Sequence, residues 1–289
     1  MSKYYCLIAG LPTITLDDTK STFAVAEFVR EIEPELSAAD KVLLRWYLLK
    51  YDNLNLLASL RNQAPFDDKG IYTEADLKNI CEVMESEDRP PQGIDVPKYF
   101  ITFIRSYFAR FETTETYDRQ SLDDRLSALY YNEATGCDNK FLAEWFALNL
   151  NIGNIMTAAN CRKYGLDPAQ YIIGDNEPAS QLRKPGAREI LPTSDSQGYL
   201  GELLTIAEEK DLMMREKRLD ALRWNWLEDY TYYKTFDIEA LITYFLRLEM
   251  IERWITLDKT GGEQTFRNLV GGMKQESQRI LKNFKDNYK

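Results

Sequence analysis

The chain has 289 residues, of which 44% are hydrophobic and 28% are charged, a composition typical of a soluble globular protein. It carries 36 Lys and Arg against 46 Asp and Glu, for a net charge of −10. Repulsion from phosphate backbones therefore argues against nucleic acid as a partner. The sequence has no histidine, which excludes His-assisted nucleophiles, His-ligated zinc and the commonest general base.

The cysteines and the apolar runs indicate a reduced, cytoplasmic protein. No C-x-x-C motif occurs, so neither a metal knuckle nor a dithiol redox motif is expected. The apolar run Tyr4–Leu11 is too short for a secretion signal and has no basic stretch before it. Polar residues such as Glu144 and Asn149 interrupt the best candidate for a membrane span. The four cysteines are widely separated: Cys6, Cys81, Cys137 and Cys161.

The predicted elements are almost all helical. The exception is at the start of the chain, where Tyr4–Ala9 is the one stretch that favours a short strand. Three helix starts follow, each a Ser or Thr with an acid three residues later, at Ser37–Asp40, Thr73–Asp76 and Ser121–Asp124. Near the end, apolar residues recur every three or four positions through Ile238, Leu241, Phe245, Leu248, Ile251 and Ile255. The sequence predicts an all-α fold with at most one short N-terminal strand.

Proline placement divides the chain. Two proline-free tracts, 98–167 and 193–289, are rich in helix formers and leave room for long helices. The stretch 174–198 between them holds three prolines among polar residues, so we predict a long loop or linker. We therefore expect three helical lobes, at approximately 1–97, 98–185 and 186–289, or one continuous domain.

A short pattern recurs along the chain. The residues from Tyr51 to Arg61 resemble those from Leu150 to Asn160 and, more weakly, those from Phe236 to Arg247. One interpretation is a helix start, in which the Asp or Asn is the N-cap between two apolar residues that pack together. For the middle copy, a longer helix that begins after Asn139 is an equal alternative. The other interpretation is that the three copies are equivalent positions of a triplicated helical lobe.

The third copy resembles the C-terminal signature of the C-subunit family of archaeal and bacterial V-type ATPases. That family has a Glu-Pro-Leu-x-x-Tyr stretch, a Lys-Glu continuation and a Gly-containing turn. Ala240 here replaces the proline, Arg247 replaces the lysine, and the turn is Asp258–Gly262. The Asp52–Arg61 pattern is similar to the family's repeated helix, and Tyr4–Pro12 resembles a bacterial branch of unassigned function that accompanies V-type ATPase genes. The matching signature residues are Glu239, Leu241, Tyr244 and Glu249.

The resemblance implies an all-α, funnel-shaped protein of three similar lobes. Such a protein lies on the cytoplasmic face of the membrane rotor ring and holds the foot of the central shaft. It transmits torque during proton or sodium transport, catalyses nothing, and needs no cofactor, metal or small-molecule substrate. Its partners are the shaft subunits and the ring. The residues we expect at repeat motifs or partner interfaces are Asp52, Asn55, Arg61, Glu239, Tyr244, Glu249 and Arg253.

Two other functions remain open. A helical-repeat adaptor unrelated to rotary ATPases has the same composition and repetition. A carboxylate-dependent hydrolase needs only two converging acids, but adjacent acids such as Asp67-Asp68 and Asp123-Asp124 are mostly solvated surface. The sequence has no P-loop, so it predicts no nucleotide site of its own.

Two segments allow a structural or a partner-binding interpretation. For an aromatic group before the third copy, core packing is the preferred prediction and an interface the alternative. The basic residues that follow Glu263 are explained first by the preference for cations near a helix C-terminus, and second by an anionic membrane or acidic partner. The aromatic group consists of Trp224, Trp226, Tyr230, Tyr232 and Tyr233.

Overall fold

All regular secondary structure in the described part of the chain is helical. The computed structural model describes residues 4–21, 23–61, 63, 66–109, 121–184, 198–234 and 236–259. These residues form eleven α-helices and two 3-10 helices, without a strand among them. The predicted all-α fold is confirmed.

The predicted strand at Tyr4–Ala9 is wrong. Tyr5–Ala9 is helix α1, and the Ile8 N–H donates to the Tyr4 carbonyl at 3.0 Å. A short apolar run does not distinguish a strand from a buried helical turn. A strand also needs a neighbouring strand for its backbone hydrogen bonds, and the described residues provide none.

The chain divides into two compact units. The central unit is Leu36–Leu222, and the terminal unit combines Met1–Glu35 with Arg223–Lys289. The three lobes with boundaries at 97/98 and 185/186 stay a prediction, and the second boundary lies outside the described residues. Two other predicted features also lie outside the described residues: residues 260–262 of the Gly-containing turn, and the basic segment that follows Glu263.

In the terminal unit, helix α2 (Val25–Ile32) packs on helix α11 (Ile238–Lys259). Phe28 of α2 is buried, and the Val25 N–H at the start of α2 donates to Glu252 Oε2 of α11 at 2.7 Å. This unit also contains α1, a 3-10 helix at Glu33–Glu35 and the last part of α10 (Leu212–Thr231). The predicted apolar stripe of α11 is confirmed, because all six of its residues are buried: Ile238, Leu241, Phe245, Leu248, Ile251 and Ile255.

The central unit is built around two long helices. Its α-helices are α3 (Ala38–Leu60), α4 (Glu74–Glu87), α5 (Lys98–Ala109), α6 (Leu122–Thr135), α7 (Lys140–Tyr164), α8 (Glu177–Leu182), α9 (Leu200–Ala207) and the first part of α10. A 3-10 helix lies at Pro168–Gln170. Helix α6 packs on α3, α5 and α7, and α4 packs on α3 and α5. Helices α8 and α9 pack on α7.

The predicted helix starts are confirmed. The side chains of Ser37, Thr73 and Ser121 each accept a hydrogen bond from the backbone N–H of the acid three residues later. At Thr73 the Asp76 carboxylate also accepts from the Thr73 N–H, which completes a capping box.

The prediction that 174–198 is entirely a loop or linker is wrong, because α8 lies within it. Asn176 caps this helix, and Pro178 occupies its first turn, where a missing N–H costs nothing. Ala179 and Leu182 then bury its apolar face. The proline that suggested a break therefore helps to begin a helix.

Candidate functional site

The first two copies of the recurrent pattern occupy equivalent positions in α3 and α7. Aligning Asp52 with Asn151 extends the similarity towards the N-terminus, where Trp46-Tyr47 matches Trp145-Phe146. The rings of Tyr47 and Phe146 stack on each other with centroids 5.4 Å apart, so the copies touch through equivalent residues. Five aligned pairs are buried in both copies: Tyr47 and Phe146, Leu49 and Leu148, Asp52 and Asn151, Asn55 and Asn154, and Leu56 and Ile155.

The asparagines of the two copies make the same pair of hydrogen bonds to the loop that follows their helix. Asn55 Nδ2 donates to the Asp67 carbonyl at 2.8 Å, and the Asp67 N–H donates back to Asn55 Oδ1 at 2.8 Å. Asn154 Nδ2 donates to the Ile173 carbonyl at 2.8 Å, and the Ile173 N–H donates back to Asn154 Oδ1 at 3.1 Å. Each amide satisfies both backbone groups of one loop residue, which explains why a polar side chain is buried there.

Asp52 binds the segment that leads into α4. Its carboxylate accepts from the Ile71 N–H at 3.0 and 2.9 Å and from the Tyr72 N–H at 3.1 Å. Burial raises the pKa of Asp52 to about 6, although these N–H donors and the nearby Arg45 guanidinium act in the opposite direction. A fully buried carboxyl thus fixes the loop immediately before the Thr73 cap.

Asn151 performs the equivalent task in the second copy with an amide. Its Oδ1 accepts from Nδ2 of Asn176, the N-cap of α8, at 2.9 Å. Its Nδ2 donates to the Tyr199 hydroxyl at 2.8 Å. The hydrogen-bond partners of Asp52 described above are all donors, which suits a carboxylate. Asn151 has one partner that donates and one that accepts, which suits an amide. We call the two pairs, Asp52 with Asn55 and Asn151 with Asn154, the loop anchors.

Each anchored loop approaches its helix closely at a glycine. A Cβ on Gly70 would lie 2.4 Å from Asp52 Oδ1. Gly174 has a φ of +77°, and a Cβ there would lie 2.8 Å from Leu150 Cδ2. Only glycine fits these approaches without displacing a buried side chain.

The N-cap interpretation is wrong for the first two copies. Asp52 and Asn151 lie inside α3 and α7, which begin after Ser37 and Asn139, as the alternative for the middle copy predicted. Their side chains bind loops instead of the first turn of a helix. In the third copy Asp237 does precede the first residue of α11, and Ala240 stands where the anchor asparagine would be. The triplication of a lobe stays a prediction.

Arg61 lies outside the buried anchor, at the end of α3. Its guanidinium pairs with the Asp123 carboxylate of α6, and both side chains are at least a third exposed. This ion pair links two neighbouring helices at the surface of the central unit, where such pairs contribute little to stability.

The other four predicted residues lie along α11 in the terminal unit. Glu239 accepts from Lys234 Nζ at 2.7 Å, and this hydrogen bond raises the pKa of Lys234. The Tyr244 ring lies 5.1 Å from the Phe28 ring, and burial raises the pKa of its hydroxyl. Glu249 is half-buried, and Arg253 is exposed with its guanidinium 5.4 Å from the Trp254 ring. They are spread over four turns of helix and do not form one cluster.

The aromatic group before α11 divides into a buried and an exposed part. Trp224 is buried with the Arg247 guanidinium 4.4 Å from its ring, so core packing is confirmed for this residue. Trp226 and Tyr230 are half-buried, with ring centroids 5.1 Å apart. Tyr232 and Tyr233 are 72% and 91% exposed, so core packing is wrong for them.

Metal-holding clusters and membrane-spanning helices are both absent from the described residues. Among the described residues, no group of three or more Cys, Asp or Glu side chains is placed to hold a metal ion. None of the described helices is both long and apolar enough to span a membrane.

The chain belongs to the family DUF2764, described as a protein of unknown function, whose model matches residues 1–277. No curated protein and no solved structure matches the chain.

Proposed function

We propose that this chain is a non-catalytic, protein-binding component of the central stalk of a V-type ATPase. In this role it links the rotating shaft to the membrane rotor ring from the cytoplasmic face and so takes part in ATP-coupled proton or sodium transport. The observation that carries the proposal is the pair of equivalent loop anchors. The resemblance to the C-subunit family includes a repeated helix, and in two copies of the pattern an asparagine at the same position, Asn55 or Asn154, makes the same pair of hydrogen bonds to the following loop.

The loop anchors also suit a part that transmits force. A loop between helices is ordinarily the most mobile part of a fold. Here the loops after α3 and α7 are bound by buried polar side chains, and breaking any of these bonds leaves unpaired polar groups in the interior. A stalk protein needs helices that do not shift against each other under load, and such loops contribute to that rigidity.

A helical-repeat adaptor is the second candidate, and one contact favours it. Equivalent residues of the two copies, Tyr47 and Phe146, stack directly on each other. Neighbouring repeats of a helical-repeat protein bury their apolar faces against each other in this way. An adaptor of this kind would bind proteins other than ATPase subunits.

Native mass spectrometry of the tagged chain, extracted gently with detergent from its own membranes, separates the two candidates. The proposal predicts recovery with ATP-hydrolysing subunits and a ring of small apolar subunits. Recovery as a free monomer, or with unrelated soluble partners, would move the assignment to the adaptor.

Variants test whether the resemblance locates the interface. Glu239→Gln removes a charge from the α11 motif, and Glu85→Gln removes an exposed charge from α4 as the matched control. We expect Glu239→Gln to reduce recovery of the complex while the control leaves it unchanged. Because Glu239 also pairs with Lys234, circular dichroism and thermal unfolding must show that the variant is folded. Equal recovery of both variants would remove Glu239 from the interface.

A further inference from the structure

The end of α10 and the turn that follows it form an exposed surface that is both aromatic and acidic. Its tyrosines, Tyr232 and Tyr233, are the two most exposed large apolar side chains in the described part of the chain. Their rings meet edge to face with centroids 4.8 Å apart. We call the following residues the acidic–aromatic surface: Trp226, Glu228, Asp229, Tyr230, Tyr232, Tyr233 and Asp237.

The surface has more negative charge than its helix favours. Residues 228–239 contain four carboxylates and one lysine. Glu228 and Asp229 lie in the last turn of α10, where the free carbonyl groups already carry partial negative charge. Acids at this end disfavour the helix, so α10 itself gains no stability from their charge.

The lysine beside this surface, Lys234, is already bound. Lys234 Nζ lies 2.7 Å from Glu239 Oε1 and 5.3 Å from the Tyr230 ring centroid. Glu228 has the Arg247 guanidinium at 3.5 Å but remains 63% exposed. The carboxylates of Asp229 and Asp237 are also exposed. The surface therefore presents negative charge beside aromatic faces, both of which attract cations.

We propose that the acidic–aromatic surface is the docking site for a basic helical segment of a partner protein, one in which Lys or Arg is interspersed with apolar residues. The tyrosines accept the apolar residues and the cations lie over their rings, while Glu228, Asp229 and Asp237 complement the positive charge. The inference deepens the proposed function and rests on it for the identity of the partner. An anionic membrane does not fit, because the surface has the same sign of charge.

The test uses the purified full chain and two synthetic helical peptides of equal length, one of Leu and Lys and one of Leu and Glu. Isothermal titration calorimetry at low salt should detect binding of the Leu/Lys peptide only. The Tyr232→Ser/Tyr233→Ser variant should bind it at least tenfold more weakly, as expected for two aromatic side chains at the centre of an interface. Tyr164→Ser, at another exposed tyrosine, is the control and should change affinity less than twofold.

A second pair of variants tests the charge. Glu228→Gln/Asp229→Asn should weaken the Leu/Lys peptide several-fold and reduce the salt dependence of binding, whereas Glu82→Gln/Glu85→Gln on α4 should do neither. Removing acids from a helix C-terminus favours α10, whereas loss of the Glu228–Arg247 ion pair opposes it, so thermal unfolding must show that Glu228→Gln/Asp229→Asn is folded.

Four outcomes overturn the proposal. They are no binding of the Leu/Lys peptide, equal binding by the tyrosine variant, tyrosine-dependent binding to phosphatidylglycerol vesicles, and tyrosine-dependent self-association in sedimentation. These outcomes are distinct from failure of the proposed function. If the chain is recovered without ATPase subunits but the peptide results hold, only the partner's identity changes. If the tyrosine variant is still recovered in a complete ATPase complex, the docking site is wrong and the stalk assignment stands.

Discussion

Replacing Asp52 with asparagine tests whether burial or hydrogen bonding dominates at the first loop anchor. Asp52 is fully buried, and burial raises its pKa to about 6, compared with about 3.9 for an aspartate in an unfolded chain. The folded state therefore holds the Asp52 proton more tightly than the unfolded state does. Its favourable contribution is fully present below about pH 4 and is lost as pH rises through 6. The difference between the two pKa values corresponds to about 3 kcal/mol of unfolding free energy.

The assay is urea unfolding of the wild type and of Asp52→Asn at several pH values between about pH 4 and pH 7. The stability of the wild type minus that of the variant should fall by about 2 kcal/mol over this range, because at pH 4 the unfolded aspartate is still partly protonated. An amide beside the Ile71 N–H has an unfavourable donor–donor contact, but this penalty is the same at each pH and leaves the slope unchanged. A difference that is flat, or that rises with pH, would refute the reasoning. A rise would mean that the three N–H contacts outweigh burial.

The second copy supplies the matched control. Asn151→Asp places a carboxyl at the equivalent, fully buried position. Because burial disfavours its charged form, this variant should acquire a pH dependence of the same sign, which the wild type lacks at that site. Urea unfolding over the same pH range measures it. Absence of any added slope would show that the two anchor sites are not electrostatically equivalent.

Three further predictions concern stability and are measured by urea unfolding at neutral pH. Gly70→Ala should destabilise the protein by about 1–3 kcal/mol, because the new Cβ overlaps the Asp52 carboxylate. Gly153→Ala in α7 should stabilise it by about 0.5–1 kcal/mol, because a Cβ there meets nothing within 4 Å. Effects of the same sign for both variants would contradict the packing argument. Asn55→Ala and Asn154→Ala should each lower the free energy of unfolding by about 2–4 kcal/mol, because each leaves a buried N–H and a buried carbonyl unpaired. A decrease of less than about 1 kcal/mol in either variant would mean that water replaces the amide. Arg61→Ala should cost less than about 1 kcal/mol, because its ion pair is solvent-exposed, and a larger loss would give Arg61 a structural role beyond that pair.

Helix formation was predictable because its signals are local. The cap at Thr73 and the six-residue stripe of α11 each depend on neighbours within a few turns, and both are confirmed. The short run Tyr4–Ala9 was not predictable, because five or six apolar residues suit a helix and a strand equally.

The recurrence of the Asp52 pattern was visible in the sequence, but its task was not. Asp and Asn are the preferred N-cap residues, so a pattern of Asp or Asn before an apolar run suggested a helix start. The same residues also bind loop backbone when they lie inside a helix and face the core. Which of the two occurs at Asp52 depends on where Ile71 and Tyr72 lie, and that is set by tertiary packing. A pairwise alignment that extended back to Trp46 and Trp145 could have revealed the longer helices.

The terminal unit is built from both ends of the chain, so during synthesis its first part must wait for its last part. The hydrogen bond from Val25 to Glu252 joins residues 227 positions apart. At about 5–20 residues per second, a ribosome produces the α11 partner of α2 roughly 10–50 s after α2 itself. The apolar face of α2, with Phe28 and Ile32, has no α11 to cover it during that time, while the whole of Leu36–Leu222 emerges. A nascent chain arrested before residue 238 should therefore be cleaved by protease at α2, and the released chain should be protected there.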